Sequence, residues 1–68
     1  SVPVTDKIAA MSGIDGLVKN LTEKLSVRLI VRPSGTERVI RIMAEGESEE
    51  SCALACKIVQ SKILQNSN

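Results

Sequence analysis

The chain has 68 residues with nine basic and eight acidic side chains, a formal net charge of +1, and no Phe, Tyr, Trp or His. A domain of this size buries only about 60% of the surface that its unfolded chain exposes, so we expect one domain with a thin aliphatic core. Nucleic-acid binders usually carry a basic excess and stacking aromatics, so the composition argues against that class. Two cysteines without histidine argue equally against a structural zinc site.

The first predicted elements are a strand fragment and a helix. Val2-Pro3-Val4 resembles the end of a strand, and because Pro3 has no N–H to donate, an edge position is expected. Ser12–Leu25 is predicted to be helical, with Ser12 as N-cap and Asp15 three residues later. Apolar residues of that segment repeat at helical spacing on one face: Ile14, Leu17, Val18, Leu21 and Leu25.

Two further strands are predicted on either side of a short loop. Val27–Arg32 and Val39–Glu45 alternate in polarity, and Pro33-Ser34-Gly35-Thr36 interrupts them, since proline cannot donate to a ladder and glycine permits positive φ. The two strands should therefore form an antiparallel hairpin.

A last helix follows Gly46, with Ser48 as its predicted cap and two glutamates in its first turn. Its apolar stripe is expected to contain Cys52, Ala55, Cys56, Val59 and Ile63. The cysteines are interpreted as reduced core residues, because a disulfide within a regular helix has poor geometry. Residues 65–68 are expected to form a frayed tail. Free thiols, and the lack of a signal peptide or long apolar run, predict a cytoplasmic protein that does not enter a membrane.

This order of elements predicts an α+β, two-layer fold, in which two helices cover one face of a small antiparallel sheet. The opposite face carries Ile30, Val39 and Met43 among arginines. Two interpretations stay open for that face: a docking surface for a partner domain, or apolar residues scattered over an ordinary surface.

The hairpin loop has the composition of an anion site. Arg32 ends a strand with a guanidinium that matches two phosphate oxygens, and Ser34 and Thr36 add hydroxyl donors. Gly35 allows close approach of the backbone, whose successive N–H groups can form a nest for oxyanions. Arg41 shares a face with Arg32, so the hairpin should bring the two charges together. The alternative is an ordinary turn, because Pro, Ser and Gly are also selected for backbone reasons.

The run Arg32-Pro33-Ser34-Gly35-Thr36-Glu37, followed by Val39-Ile40-Arg41-Ile42-Met43-Ala44-Glu45-Gly46, resembles the signature of the C-terminal domain of the α-D-phosphohexomutase superfamily, and within it the phosphoglucosamine mutases. The resemblance covers nearly the whole chain. It implies that residues 1–68 are a single, TATA-box-binding-protein-like domain from the C-terminal end of a larger mutase. Such a domain would contact the parent's other domains and a phosphorylated hexose or hexosamine.

The resemblance also assigns roles. Arg32, Ser34, Gly35 and Thr36 match the positions that grip the substrate phosphate that is not being transferred, and Arg41 is a weaker match. No catalytic residue, metal or cofactor is expected in this domain, while the full-length enzyme is expected to use Mg²⁺. Arg38 stands where the family usually has proline. This replacement is expected either to loosen the loop exit or to add a phosphate contact.

Four functions remain in competition from the sequence. The first is the phosphate-binding domain of a hexosamine-phosphate mutase, with glucosamine as the expected sugar, and the isolated domain would not catalyse. In the second, the parent protein is a phosphomannomutase or phosphoglucomutase. The third is a free-standing phosphosugar-binding module without catalysis, and the fourth is a structural domain whose loop no longer binds a ligand.

Overall fold

The computed structural model describes residues 1–67, which form a three-stranded antiparallel sheet and three helices. In chain order these are β1 (Val2–Pro3), α1 (Lys7–Ala10), α2 (Ile14–Leu25), β2 (Arg28–Pro33), β3 (Val39–Glu45) and α3 (Glu49–Ser67). The strand order β1-β3-β2 places Pro3 on an edge strand, where its missing N–H is tolerated. The α+β class predicted from the sequence is confirmed.

The hairpin of β2 and β3 is the largest part of the sheet. Its register runs from Arg28 opposite Glu45 to Pro33 opposite Ile40. The β3 bounds agree with the prediction, while β2 begins and ends one residue later than predicted. Beyond the ladder, the Ser34 N–H donates to the Val39 carbonyl at 2.9 Å and closes the loop.

The core lies between one face of the sheet and the helices. Ile40 of the central strand is fully buried, and α2 and α3 supply most of the side chains that cover it. Burial of such a side chain contributes about 1.5–3 kcal/mol, so a few aliphatic residues hold this domain together in the absence of aromatics. The buried cluster consists of Val2, Val4, Ala10, Ile14, Leu21, Ile40, Val59 and Ile63.

The segment before α2 differs from the prediction. Asp6 caps the short helix α1, since its Oδ1 accepts the N–H groups of Ile8 and Ala9 at 3.0 and 3.2 Å. Gly13 then adopts φ 74°, a left-handed conformation that glycine takes without strain. This residue, and not Ser12, is the N-cap of α2. The helix predicted over Ser12–Leu25 is therefore confirmed from Ile14 to Leu25, whereas its predicted N-cap at Ser12 was wrong. Helix α1 was not predicted, because its four residues carry too little periodicity to be recognised.

Helix α3 begins as predicted and ends later. Ser48 Oγ accepts the Ser51 N–H at 3.1 Å, which confirms the predicted cap. Residues 65–67, expected to belong to a frayed tail, continue the helix, and the Asn66 side-chain amide donates to the carbonyls of Ala10 and Ser12 at 2.9 and 2.8 Å. These bonds tie the last turn of α3 to the end of α1. Residue 68 lies outside the described residues.

The buried stripe of α3 is narrower than predicted. Ala55, Val59 and Ile63 are fully buried, whereas Cys52 and Cys56 are half-buried free thiols. The cysteines therefore flank the core instead of filling it. No helix within residues 1–67 is both long enough and apolar enough to span a bilayer.

Candidate anion-binding site

A hollow of about 410 Å³ lies on the sheet face opposite the helices, beside the hairpin loop. The five residues singled out in the sequence, Arg32, Ser34, Gly35, Thr36 and Arg41, all line it. Ile30, Pro33 and Met43 complete the lining. Ile30 of β2 and Met43 of β3 thus place two apolar side chains next to the charged and hydroxyl groups of the hollow. The open face is therefore organised around the loop.

Two arginines flank this hollow. Arg32 and Arg41 are direct partners in the antiparallel register, and both side chains are exposed. Directly opposed residues have Cβ atoms about 4.5–5.5 Å apart, and like charges there destabilise a sheet. A phosphate dianion between the two guanidinium groups would offset this repulsion. Arg28, on the same face, lies opposite Glu45 at the other end of the hairpin, away from the hollow.

Ser34 organises the loop. It is 8% exposed and is the one buried polar residue in the described part of the chain. Its Oγ accepts the N–H groups of Thr36 and Glu37 at 3.3 and 3.2 Å. These two amides are therefore directed at a protein oxygen, and the expected nest of successive free N–H groups is not formed. The hydroxyl proton of Ser34 is still available to donate, because an OH that accepts can also donate.

Gly35 differs from the sequence expectation in another way. It does not adopt a positive φ, which among the glycines described occurs at Gly13. A Cβ placed on Gly35 would have no neighbouring atom within 4 Å. Neither backbone conformation nor packing within residues 1–67 thus requires glycine there. A ligand or partner that approaches the loop backbone closely would require it.

Arg38 stands at the exit of the loop. Its carbonyl accepts the Val4 N–H at 2.9 Å, so the loop exit is joined to the segment that follows β1. A proline at this position would provide the same carbonyl acceptor, so this bond does not test the expected loosening of the loop exit, which stays a prediction. The Arg38 side chain is not among the residues that line the hollow, so the structure gives no support to an added phosphate contact.

Lys7 is a residue near the loop that the sequence analysis missed. Its Nζ donates to the Ser34 carbonyl at 2.7 Å, a partly buried contact that joins α1 to the loop. Lys7 also lines a second hollow of about 520 Å³, together with Ile8, Met11 and the Pro33-Ser34-Gly35 segment. The signal available in the sequence was Asp6, a helix-capping residue type directly before Lys7 and a run of helix formers.

No group of three or more Cys, Asp or Glu side chains close enough to hold a metal ion occurs within residues 1–67. Residues 1–67 therefore do not fit the Mg²⁺ that the resemblance implies for a full-length enzyme.

Comparison with known proteins shows that the chain is similar to one domain of sugar-phosphate mutases. Residues 1–59 match the family model described as "Phosphoglucomutase/phosphomannomutase, C-terminal domain". The chain is 38% identical over 55 residues to a phosphoglucosamine mutase of Rubrobacter xylanophilus, and 40% identical over 65 residues to one of Bacillus cereus. A phosphoglucosamine mutase of Geobacillus kaustophilus is 41% identical over 58 residues.

These alignments cover 78%, 88% and 76% of this chain, but only 12%, 14% and 12% of the respective relatives. The chain therefore corresponds to a small part of each relative's length. No solved structure matches the chain significantly.

Proposed function

This chain belongs to the phosphoglucomutase/phosphomannomutase C-terminal domain family, and from that premise we propose that its hairpin loop binds the phosphate group of a phosphorylated hexose or hexosamine. The observation that carries the proposal is the direct opposition of Arg32 and Arg41 beside a hollow that Ser34, Gly35 and Thr36 also line. Guanidinium groups bind phosphate through paired, charge-assisted hydrogen bonds.

The roles of the five residues follow from their chemistry. Arg32 and Arg41 would supply two guanidinium forks, and the hydroxyl groups of Ser34 and Thr36 would donate to remaining phosphate oxygens. Gly35 leaves open space where a side chain would otherwise meet the ligand. The hollow is open, which suits a domain that binds one end of a ligand.

We further propose that the parent protein interconverts a hexosamine 6-phosphate and its 1-phosphate, with glucosamine as the sugar, because the relatives cited above are phosphoglucosamine mutases. In such a reaction a phosphate moves between two ends of the sugar, so the intermediate must be held in two orientations. A loop that recognises the phosphate group, and not a particular end of the sugar, can hold the intermediate in both orientations. Catalytic groups and Mg²⁺ would come from other domains of the parent.

The same proposal includes a cytoplasmic parent, which agrees with the free thiols of Cys52 and Cys56.

A phosphomannomutase or phosphoglucomutase parent is the main alternative, because the matching family model includes both activities in its description. The sugar would be selected mostly by other domains, since the polar groups of this hollow suit phosphate.

The test is a two-dimensional amide NMR titration of the 68-residue chain with glucosamine 6-phosphate, with unphosphorylated glucosamine as the control ligand. We expect shifts confined to 30–43 with the phosphate ester alone. Mannose 6-phosphate and glucose 6-phosphate should shift the same amides, because the recognised group is shared. The Arg32→Ala variant serves as the matched protein control, and its loop amides should respond much less.

The outcomes separate the competing functions. Equal shifts with glucosamine and its phosphate would contradict phosphate recognition. An unshifted, well-dispersed spectrum would contradict binding by this chain alone. A second titration, of the parent mutase with and without the Arg32→Ala change, would then decide whether the loop binds phosphate only beside its partner domains.

A further inference from the structure

The Ser34–Gly35 peptide is held from one side by α1. The Ser34 carbonyl accepts a 2.7 Å hydrogen bond from Lys7 Nζ, while the Ser34 N–H and Oγ are engaged by Val39 and by the Thr36 and Glu37 amides. The backbone N–H, the carbonyl and the hydroxyl oxygen of Ser34 are therefore all bonded within the domain, and its hydroxyl proton is left to donate. The bond from Lys7 is the one that comes from outside the hairpin.

This bond determines the direction of the next amide. A peptide unit is planar and, within residues 1–67, always trans, so the Gly35 N–H points opposite to the Ser34 carbonyl. Since that carbonyl faces Lys7, the Gly35 N–H faces away from it. Within residues 1–67, the amides of Ser34, Thr36 and Glu37 have protein acceptors, whereas that of Gly35 has none.

Lys7 and the two arginines line different hollows, and the Ser34–Gly35 peptide lines both of them. Pro33, Ser34 and Gly35 line both hollows, while Lys7 lines only the second and Arg32 and Arg41 line only the first. An amide that faces away from Lys7 faces away from the second hollow, and the first hollow is the other one that this peptide lines. In the first hollow the amide can donate to an anion bound by the arginines.

We propose that Lys7 is a positioning residue of the anion site, which fixes the Ser34–Gly35 peptide so that the Gly35 N–H is presented to the bound phosphate. The proposal rests on the proposed phosphate-binding function. It assigns to α1 a role in ligand binding, although Lys7 itself does not line the hollow that contains Arg32 and Arg41. Its ammonium also adds a positive charge to those of Arg32 and Arg41, which favours an anion.

The experiment compares Lys7→Met with Lys19→Met, which removes the same charge from an exposed position on α2. Spectra of the ligand-free chains should show the Gly35 amide displaced in Lys7→Met and unchanged in Lys19→Met, because only the first change releases the Ser34 carbonyl. Titration with glucosamine 6-phosphate should give a dissociation constant about threefold to tenfold higher for Lys7→Met alone.

A further measurement protects the test against a Lys7→Met chain that fails to fold. In the unsubstituted chain, the ammonium hydrogens of Lys7 should exchange with solvent more slowly than those of Lys19, because a partly buried hydrogen bond retards exchange. Equal exchange at both lysines would overturn the proposal.

The two proposals fail in different ways. If the unsubstituted chain and Lys7→Met bind glucosamine 6-phosphate equally, or if the ligand-free Gly35 amide is the same in both, the role of Lys7 is overturned and phosphate binding stands. If the unsubstituted parent mutase and its Arg32→Ala variant bind equally well, phosphate binding by the loop is overturned, and the role of Lys7 is overturned with it.

Discussion

Arg32 of β2 and Arg41 of β3 are direct cross-strand partners on the open face of the sheet. Both are exposed, so water screens their repulsion, but opposed like charges still lower the stability of a sheet by roughly 0.2–1 kcal/mol. A sheet selected only for stability would place an acid at one of these positions, as it does where Arg28 faces Glu45. The phosphate binding proposed above would explain the pair, because both guanidinium groups would contact the same anion.

The first prediction concerns stability without ligand. Arg41→Thr should raise the melting temperature by about 1–5 °C in low-salt, phosphate-free buffer, because it removes the repulsion and threonine suits a strand. Adding a phosphate ester should raise the melting temperature of the unsubstituted chain, because a ligand stabilises the folded state to which it binds. The melting temperature of the variant should hardly change, because the variant binds the ligand poorly. Thermal unfolding followed by circular dichroism measures both. A lower melting temperature for ligand-free Arg41→Thr would contradict the repulsion argument.

The second prediction concerns affinity. Arg32→Ala should weaken binding of glucosamine 6-phosphate by about 1.5–3 kcal/mol, roughly ten- to hundredfold, since charge-assisted hydrogen bonds to phosphate are lost. Arg28→Ala is the matched control, because it removes an arginine from the same strand and face but outside the hollow. Isothermal titration calorimetry gives both constants. Similar losses in the two variants would indicate a general charge effect instead of a site.

The third prediction separates folding from binding at Gly35. Gly35→Ala should leave stability unchanged or raise it by about 0.4–1 kcal/mol, because the backbone there is not left-handed and a Cβ meets no neighbouring atom. Phosphate binding should nevertheless weaken, since the methyl group enters space beside the loop. Gly13→Ala is the contrasting variant. It should destabilise the chain, because the backbone at Gly13 has a φ of 74°, which alanine rarely adopts. Unchanged affinity for Gly35→Ala would mean that no ligand approaches this backbone closely.

The sequence predicted the hairpin and its arginine pair because strand alternation has a strict period of two. Once Val27–Arg32 and Val39–Glu45 were recognised, the shared face of Arg32 and Arg41 followed. The sequence did not predict the hydrogen bonds that Ser34 makes within the loop. A serine whose hydroxyl accepts from loop amides cannot be told, from sequence, from a serine whose hydroxyl donates to a ligand. Lys7 was missed because its contact with Ser34 spans 27 positions and depends on a helix of four residues.

The fourth prediction compares a fully buried residue with the half-buried cysteines. Ile63→Val should lower the free energy of unfolding by about 0.5–1.5 kcal/mol, because one methylene is lost from a site without exposure. Cys52→Ser should have a smaller effect, since its thiol is only half-buried and a hydroxyl there can reach water. Urea unfolding of both variants measures the difference. A larger effect at Cys52 would place the core on a different face of α3.

The last prediction concerns Asn66, whose amide joins α3 to the end of α1. Asn66→Asp replaces both N–H donors by an acceptor that faces the carbonyls of Ala10 and Ser12, so it should lower the free energy of unfolding by about 1–3 kcal/mol. Gln65→Glu adds the same charge one residue earlier on an exposed side chain and should change stability by less than about 0.5 kcal/mol. Chemical unfolding compares the two variants.

Because α1 also carries Lys7, Asn66→Asp should additionally displace the Gly35 amide in ligand-free spectra. A loss of stability without that displacement would mean that the end of α1 moves independently of its first turn.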